Sequence, residues 1–383
     1  MRFSFVHFTL PDEAESGIVR YGRHLAAQAS LEEEVTEIAL TLGKQSGRFD
    51  VGQVEGDLGR MVFQFSPYYH PQACIEAMRA LVRKTSGDPA KHLIIVHDSN
   101  RLASPFNQFT RFRRLLQLKL WSRAIQIKRV GDQLKRFLRD ALPTKFALSA
   151  FDQKQTVELS ARLAYDCVSV PHFVEEPNFS FDNEDAKKSL GLEGKQVLTI
   201  LGFLSPHKRH RLSLQALSHL PENYHLVLAG GATDLSGSYF RSIEESIEEM
   251  GLADRVTITG YLQERDQACY IGATDLAICL YRGGAASGSL STWIAHRKPI
   301  LVSQVQELSL YNETAPGALE VLTSDDPISL AGRIQSILEG PIDDELSALA
   351  QLKTELSLER TWETYRKCLV ESEEGFSRLV PMA

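Results

Sequence analysis

At 383 residues the chain exceeds the length at which one hydrophobic core stops growing, and its 43% hydrophobic and 24% charged residues are ordinary for a soluble protein, so two domains of usual size are expected. No stretch approaches the roughly 20 apolar residues of a membrane span, and five cysteines scattered singly (Cys74, Cys167, Cys269, Cys279, Cys368) give neither a disulfide framework nor a zinc spacing. The net charge of −7 hides a basic island, since Arg101 to Asp140 carries eleven Lys or Arg against two Asp, a pattern that suits an anionic contact on that face.

The apolar run at Met1 to Glu13 is too short for a secretory signal, and a reduced, cytoplasmic protein is expected. Arg2 to Leu10 alternates as a strand, and Ser16 to Ala29 has helical spacing, so the chain opens as strand, glycine loop, helix. Met61-Val-Phe-Gln-Phe and Leu93-Ile-Ile-Val-His are further short strands, with a helix from Gln72 to Lys84 between them. Phe146 to Ala150 and Cys167 to Phe173 complete the first half, and the polar stretch Glu175 to Asn183 reads as a linker.

After it the alternation restarts. Strands are expected at Gln196 to Gly202, His225 to Gly231, Val256 to Gly260, Leu276 to Leu280 and Pro299 to Ser303, with helices reaching Leu220 and Met250 and another near Ser289 to His296. Strands alternating with helices imply parallel sheets, so the fold class is α/β with two doubly wound, Rossmann-like halves.

In such sheets ligands bind beyond the carboxyl ends of strands, where helix N-termini offer free N–H groups and a positive dipole end. Lys208 follows the strand ending at Gly202 and can meet a phosphate as a point charge, with Arg209 and Arg211 close by. Ser287-Gly288-Ser289 offers hydroxyls and N–H groups at a helix start, although serine is also an ordinary N-cap. Arg282 leaves a strand end beside that loop, suited to phosphate, to a donor-sugar hydroxyl or to a plain salt bridge. Gly17, after the first strand, lets backbone approach a diphosphate or simply turns into its helix. His97-Asp98 ends an apolar strand, so the imidazole is expected to project into a cleft between the halves, with Asp98 beside it or capping the next helix. Tyr68-Tyr69-His70 after the strand at Met61 can line an acceptor pocket or pack in the core. No carboxylate or His/Cys group stands at metal-ligand spacing, so neither metal nor cofactor is expected.

These segments resemble the retaining GT-B glycosyltransferases of family 4, the group 1 type. The resemblance is specific from Val197 to Val302, through Gly202, Lys208, Leu228-Ala-Gly230-Gly231, Gly260-Tyr261-Leu262, Ala273-Thr-Asp-Leu-Ala and His296-Arg-Lys-Pro-Ile-Leu-Val-Ser. It is looser in the first half, through Val62-Phe-Gln-Phe, Ile95-Val-His-Asp and Val170-Pro-His-Phe-Val. It implies two Rossmann-like domains facing a central cleft: residues 1–178 on the acceptor side, and 184–358 holding the donor nucleotide sugar. A closing helix at about 360–383, carrying Thr361-Trp-Glu-Thr-Tyr, would pack back on the first domain. It further implies donor contacts at Gly230, Gly231, Tyr261, Leu262 and Thr292, retention at the anomeric carbon and no metal.

Two departures stand out. Phe203 occupies the place of an Arg that the family commonly has after Gly202, and the family's pair of glutamates falls, counting back from Pro299, on Gly284 and Thr292. One phosphate cation is then missing or supplied from Arg209 or Arg211, and the contacts of the glutamate pair pass to Ser287, Ser289 and backbone groups.

The expected reaction moves a hexose-type sugar from a nucleoside diphosphate to an acceptor hydroxyl in glycan, polysaccharide or glycolipid synthesis, with Lys208, Arg282 and the Ser287–Ser289 helix start stabilising charge on the departing diphosphate. Residues 109–139 mix Lys and Arg with Phe, Leu, Trp and Ile at near-helical spacing. That suits an anionic membrane surface and a lipid-linked acceptor, peripheral at the inner face of the membrane, or else a helix packed on its own sheet. No nucleic-acid motif is present. A sugar-nucleotide epimerase or phosphorylase on the same scaffold, or a degenerate binding protein without catalysis, are the alternatives.

Overall fold

The computed structural model describes residues 1–11, 16–85, 91–97, 99, 102, 114–140, 146–151, 153–232, 237–282, 288–305 and 308–370, with the side chains of 114–121, 123, 309 and 310 left aside. The chain divides into two units, Met1–Pro171 with Leu358–Ala383, and His172–Ser357.

The first unit runs β1 (Arg2–Thr9), α1 (Gly17–Ala29), β2 (Glu34–Thr41), β3 (Arg60–Phe65), α2 (Pro71–Val82), β4 (His92–Val96), α3 (Arg114–Asp140), β5 (Phe146–Ala150), α4 (Gln153–Leu163) and β6 (Cys167–Ser169). Its strands form one parallel sheet in the order β2-β1-β3-β4-β5-β6. The interior strands are apolar runs because helices cover both faces: all five residues of β4 and of β5 are buried. Helix α1 starts where Ser16 Oγ accepts the Val19 N–H at 3.3 Å, and α2 starts on Pro71, whose missing N–H costs nothing there.

The described part of α3 turns Ile127, Val130, Leu134, Phe137 and Leu138 into the core of this unit. This face of the basic segment 109–139 is therefore covered by the sheet's own core, the packing alternative to a membrane contact, while residues 109–113 lie outside the described residues. No helix among the described residues is long and apolar enough to cross a membrane.

The second unit runs α5 (Asn183–Leu190), β7 (Gln196–Leu201), a 3-10 turn (Pro206–Lys208), α6 (His210–Leu217), β8 (Tyr224–Ala229), α7 (Ser238–Glu249), β9 (Val256–Ile258), α8 (Glu264–Ala273), β10 (Leu276–Cys279), α9 (Gly288–Ala295), β11 (Ile300–Ser303), α10 (Ser309–Thr314), β12 (Glu320–Leu322), α11 (Pro327–Glu339) and α12 (Asp343–Glu355). Six parallel strands take the order β12-β11-β10-β7-β8-β9. The chain moves outward from β7 through β8 to β9, then returns to the other side with β10, so the winding reverses between β7 and β10. In open α/β sheets it is at such a reversal, beyond the carboxyl ends of the strands, that ligands bind. In the first sheet the same reversal falls between β1 and β3.

Helix α13 (Leu358–Val370) closes the first unit although it is last in sequence. Trp362 is 3% exposed and meets the rings of Phe3 edge-on at 5.2 Å and Phe5 at 5.7 Å, while the Tyr365 and Tyr21 hydroxyls bond at 3.0 Å. Strand β1 thus packs on a helix more than 350 positions away, an aromatic contact that the Thr361-Trp362 pattern supplies.

Glycine sets one further contact at this end of the second sheet. A side chain at Gly230, just after β8, would place its Cβ 2.3 Å from the Gly202 carbonyl oxygen, just after β7. The two loops are stitched where the Gly202 N–H donates to Ala229 at 2.8 Å and the Leu204 N–H donates to Gly231 at 2.8 Å. Gly202 itself has φ +92°, a region open to glycine at no cost.

Trp362→Ala should lower the unfolding free energy of the first unit by ~3–5 kcal/mol, read from urea midpoints at unchanged far-UV spectrum. Gly230→Ala should cost the second unit ~1–3 kcal/mol, read as a lower melting temperature, because the methyl meets backbone that cannot step aside.

Candidate functional site

The site grows from the end of β7. After Leu201 the chain turns at Gly202 and enters the 3-10 turn that ends on Lys208. Arg209 then adopts φ +58° and caps α6. This reversal sends the lysine stem back over the strand end, where Nζ donates to the Leu201 carbonyl at 2.5 Å and to Ser289 Oγ at 3.3 Å. Ser289 is the second residue of α9, which follows β10. Lys208 and Ser289, 81 positions apart, therefore meet at the reversal point of the second sheet.

The Lys208 ammonium lies 5.2 Å from the centroid of the Tyr281 ring, and the Tyr281 hydroxyl sits 2.7 Å from Ser289 Oγ. Tyr281 was not singled out by sequence, because it reads there as the tail of an apolar strand. Among the described residues Lys208 forms no ion pair. Burial lowers its pKa below the usual lysine range, and the nearby Cys279 thiol opposes this weakly. Burial and then the Lys208 charge push His210 down to about 4, so that imidazole is neutral near pH 7 and bonds the Tyr239 hydroxyl at 3.1 Å.

The other residues read from the sequence take varied places. Arg209 is not a free cation: its guanidinium pairs with Asp325 at 2.7 Å with 11% of the side chain exposed. Arg211 is exposed on the first turn of α6, and Arg282 is exposed with its N–H donating to the His207 carbonyl at 3.2 Å, which ties the β10 loop to the lysine loop. Gly288 opens α9 with free space where a Cβ would stand. Ser287 lies outside the described residues. Thr292 donates its hydroxyl to the Gly288 carbonyl at 2.8 Å, a local helix bond. Gly230 serves the close approach of the two loops, Gly231 stands 3.5 Å from the Tyr261 N–H nitrogen as judged from its Cβ position, Tyr261 is 76% exposed, and Leu262 packs on the core.

In the first unit Gly17 is the exposed first residue of α1, and Tyr68, Tyr69 and His70 are exposed between β3 and α2, so all four lie at the reversal point between β1 and β3. His97 departs from its expected place: it is 8% exposed, with Nε2 2.8 Å from Gln64 Oε1 and its ring against Tyr21 (5.4 Å) and Phe151 (5.1 Å). It is a packed residue of the sheet end, because three aromatic and amide side chains close over it. Asp98 lies outside the described residues. No three His, Cys, Asp or Glu converge to hold a metal ion among the described residues.

A hydrogen-bonded ammonium and a hydroxyl beside a helix start, brought together at a reversal point, suit a small anionic group. Residues 182–352 match the profile of the glycosyl transferases group 1. No curated protein matches the chain. Among solved structures it is similar to Anabaena HepE in complex with UDP-glucose, at 14% identity and a TM-score of 0.65 over 96% of this chain and 99% of that one. It is similar also to WaaG, a glycosyltransferase involved in lipopolysaccharide biosynthesis, at 15% identity and a TM-score of 0.62 over 97% and 100%. A UDP-forming α,α-trehalose-phosphate synthase from Burkholderia xenovorans, solved with glucose-6-phosphate, matches at 10% identity and a TM-score of 0.66 over 97% and 100%. At these identities the likeness is one of fold. Two six-stranded, Rossmann-like parallel sheets give the chain the GT-B fold, and its residues 182–352 match the model of the glycosyl transferases group 1.

Proposed function

We propose that the protein is a retaining glycosyltransferase that moves a hexose-type sugar from a nucleoside-diphosphate sugar to an acceptor hydroxyl, without a metal or another cofactor. The observation that carries the reading is the meeting of Lys208 Nζ and Ser289 Oγ at the reversal point of a group 1 domain. The HepE structures with UDP-glucose and with UDP support a nucleotide-sugar donor on this fold.

In this reading the donor diphosphate sits over Lys208, Ser289 and the N-terminus of α9, with Arg282 reaching it from the β10 loop. As the bond from the anomeric carbon to the diphosphate oxygen breaks, negative charge grows on that oxygen. A preformed ammonium that makes no ion pair among the described residues stabilises that charge without reorganisation. Arg209 takes no part, being held by Asp325. The nucleoside then lies toward the β8 and β9 loops, with exposed Tyr261 offering an aromatic face. The acceptor, a glycan or a lipid-linked sugar, is assigned to the first unit, where Gly17 and Tyr68–His70 border the sheet reversal. A cytoplasmic setting agrees with five cysteines scattered singly along the chain.

Thermal stabilisation against UDP, GDP, ADP, dTDP and their sugars tests the donor site, since a ligand of the native state raises the melting temperature. One base is expected to give a clear shift, and Lys208→Ala should weaken that ligand by about 10- to 100-fold, the worth of a hydrogen bond to a charged group. No shift with any nucleoside diphosphate would overturn the reading. The anomeric configuration of the product, read by proton NMR, tests retention.

A further inference from the structure

We infer that Phe203 and Tyr261 form a two-sided slot over Gly231 that takes one flat ring, the base of the donor nucleotide. This inference rests on the diphosphate reading above and adds to it the residues that grip the nucleoside.

The slot follows from strand register. Strand β7 pairs with β8 so that Leu201 is level with Ala229, and the same offset persists past the strand ends, where Leu204 bridges Ala232 and its N–H donates to Gly231. Phe203 is therefore level with Gly231. Strand β8 pairs with β9 so that Leu228 is level with Ile258, and that offset carries Gly231 to Tyr261. The Tyr261 backbone nitrogen indeed lies 3.5 Å from where a Gly231 Cβ would stand. One row across three adjacent chain segments thus reads Phe, Gly, Tyr.

The outer members of the row are exposed, Phe203 by 55% and Tyr261 by 76%. A lone exposed aromatic needs no explanation, but two in one row with a glycine between them leave a gap with a ring on each side. Neighbouring strands run about 4.8 Å apart, so the outer two positions stand about 10 Å apart across Gly231. A flat ring in contact on both faces needs about 7–8 Å between its neighbours, so the gap admits one ring and no more. Gly230 is required by the backbone beside it, as shown above, whereas Gly231 is not. Its φ lies outside the left-handed region, and a Cβ there would meet Tyr261 only at ordinary contact distance. What a side chain at Gly231 would displace is the occupant of the slot.

The slot adjoins the cation. The Lys208 ammonium lies 3.1 Å from where a Gly202 Cβ would stand, and Phe203 is the next residue. A diphosphate on Lys208 therefore brings the rest of its nucleotide to this row. Of the parts of a nucleotide sugar only the base is flat and has two π-faces to offer, and every base stacks on an aromatic ring.

The test measures the affinity of the nucleoside diphosphate that stabilises the wild type, with the melting temperature of each free variant beside it. Phe203→Ala and Tyr261→Ala should each weaken binding about 5- to 100-fold, the worth of stacking a base on one ring, at unchanged melting temperature because both side chains are exposed. Tyr261→Phe and Phe203→Trp keep a ring and should bind as the wild type does. Gly231→Val, whose Cβ fits, should fold and lose affinity as the alanine variants do. Wild-type affinity in either alanine variant or in Gly231→Val would overturn the inference, and is the outcome if the two rings dock a protein instead. A loss in Tyr261→Phe as large as in Tyr261→Ala, or losses that track a lowered melting temperature, would overturn it too. If Lys208→Ala loses the ligand while the Phe203 and Tyr261 variants keep it, the slot falls and the donor reading stands. If no nucleoside diphosphate binds the wild type, both fall.

Discussion

A lysine ammonium that is partly buried, hydrogen-bonded to a carbonyl and a hydroxyl, and paired with no carboxylate among the described residues is a charge held in waiting. Desolvation disfavours it, so the protein must hold it by dipoles and a ring face, and any anion that reaches it recovers part of that cost. The rest of the second unit can be understood from this constraint. Its sheet reverses between β7 and β10, which brings the lysine loop and the α9 start together from distant parts of the chain. Gly202 and Gly230 let the neighbouring loops approach to a distance no side chain allows. His210, which feels the lysine's charge, is kept neutral by burial and by the lysine itself.

The first unit is built on the same principle with different chemistry. Its reversal point presents exposed Tyr68, Tyr69 and His70 and the bare start of α1 in place of a buried cation. Beneath that end the polar groups of His97 and Gln64 bond each other, while Tyr21 bonds Tyr365 of the closing helix. Two six-stranded parallel sheets of different strand order thus carry unlike surfaces at their reversal points, as expected when function is grafted on a common architecture.

Much of the fold was legible because strands buried on both faces must be apolar throughout. Phe146–Ala150 reads without ambiguity, and Gln196–Leu201 and Leu276–Cys279 differ from their expected spans only at the last residue. Strand β2 was not read, since it is an edge strand whose Glu34 and Glu37 face solvent and break any apolar run. The strand begun at Cys167 was read too long: it ends at Ser169, and the chain then passes into the second unit, where the Ser291 hydroxyl donates to Phe173 at 2.8 Å. In the site, Lys208 and Ser289 were legible as a cation and a hydroxyl at strand-to-helix turns. The pairing of Arg209 with Asp325 across 116 positions was not, because no local pattern reports a long-range ion pair. Tyr281 was hidden for a related reason: an aromatic at a strand end looks like core until its hydroxyl partner is known.

The most direct measurement is the titration of Lys208 Nζ by heteronuclear NMR on lysine-labelled protein, assigned with Lys208→Ala, first alone and then with the stabilising nucleoside diphosphate. In the free protein the ammonium should titrate below the usual 10.5, as its burial requires. The bound diphosphate should raise that value, since an anion favours the charged form. A free value at or above 10.5, or a value that does not move when the nucleotide binds, would contradict the assignment of this lysine as the diphosphate seat.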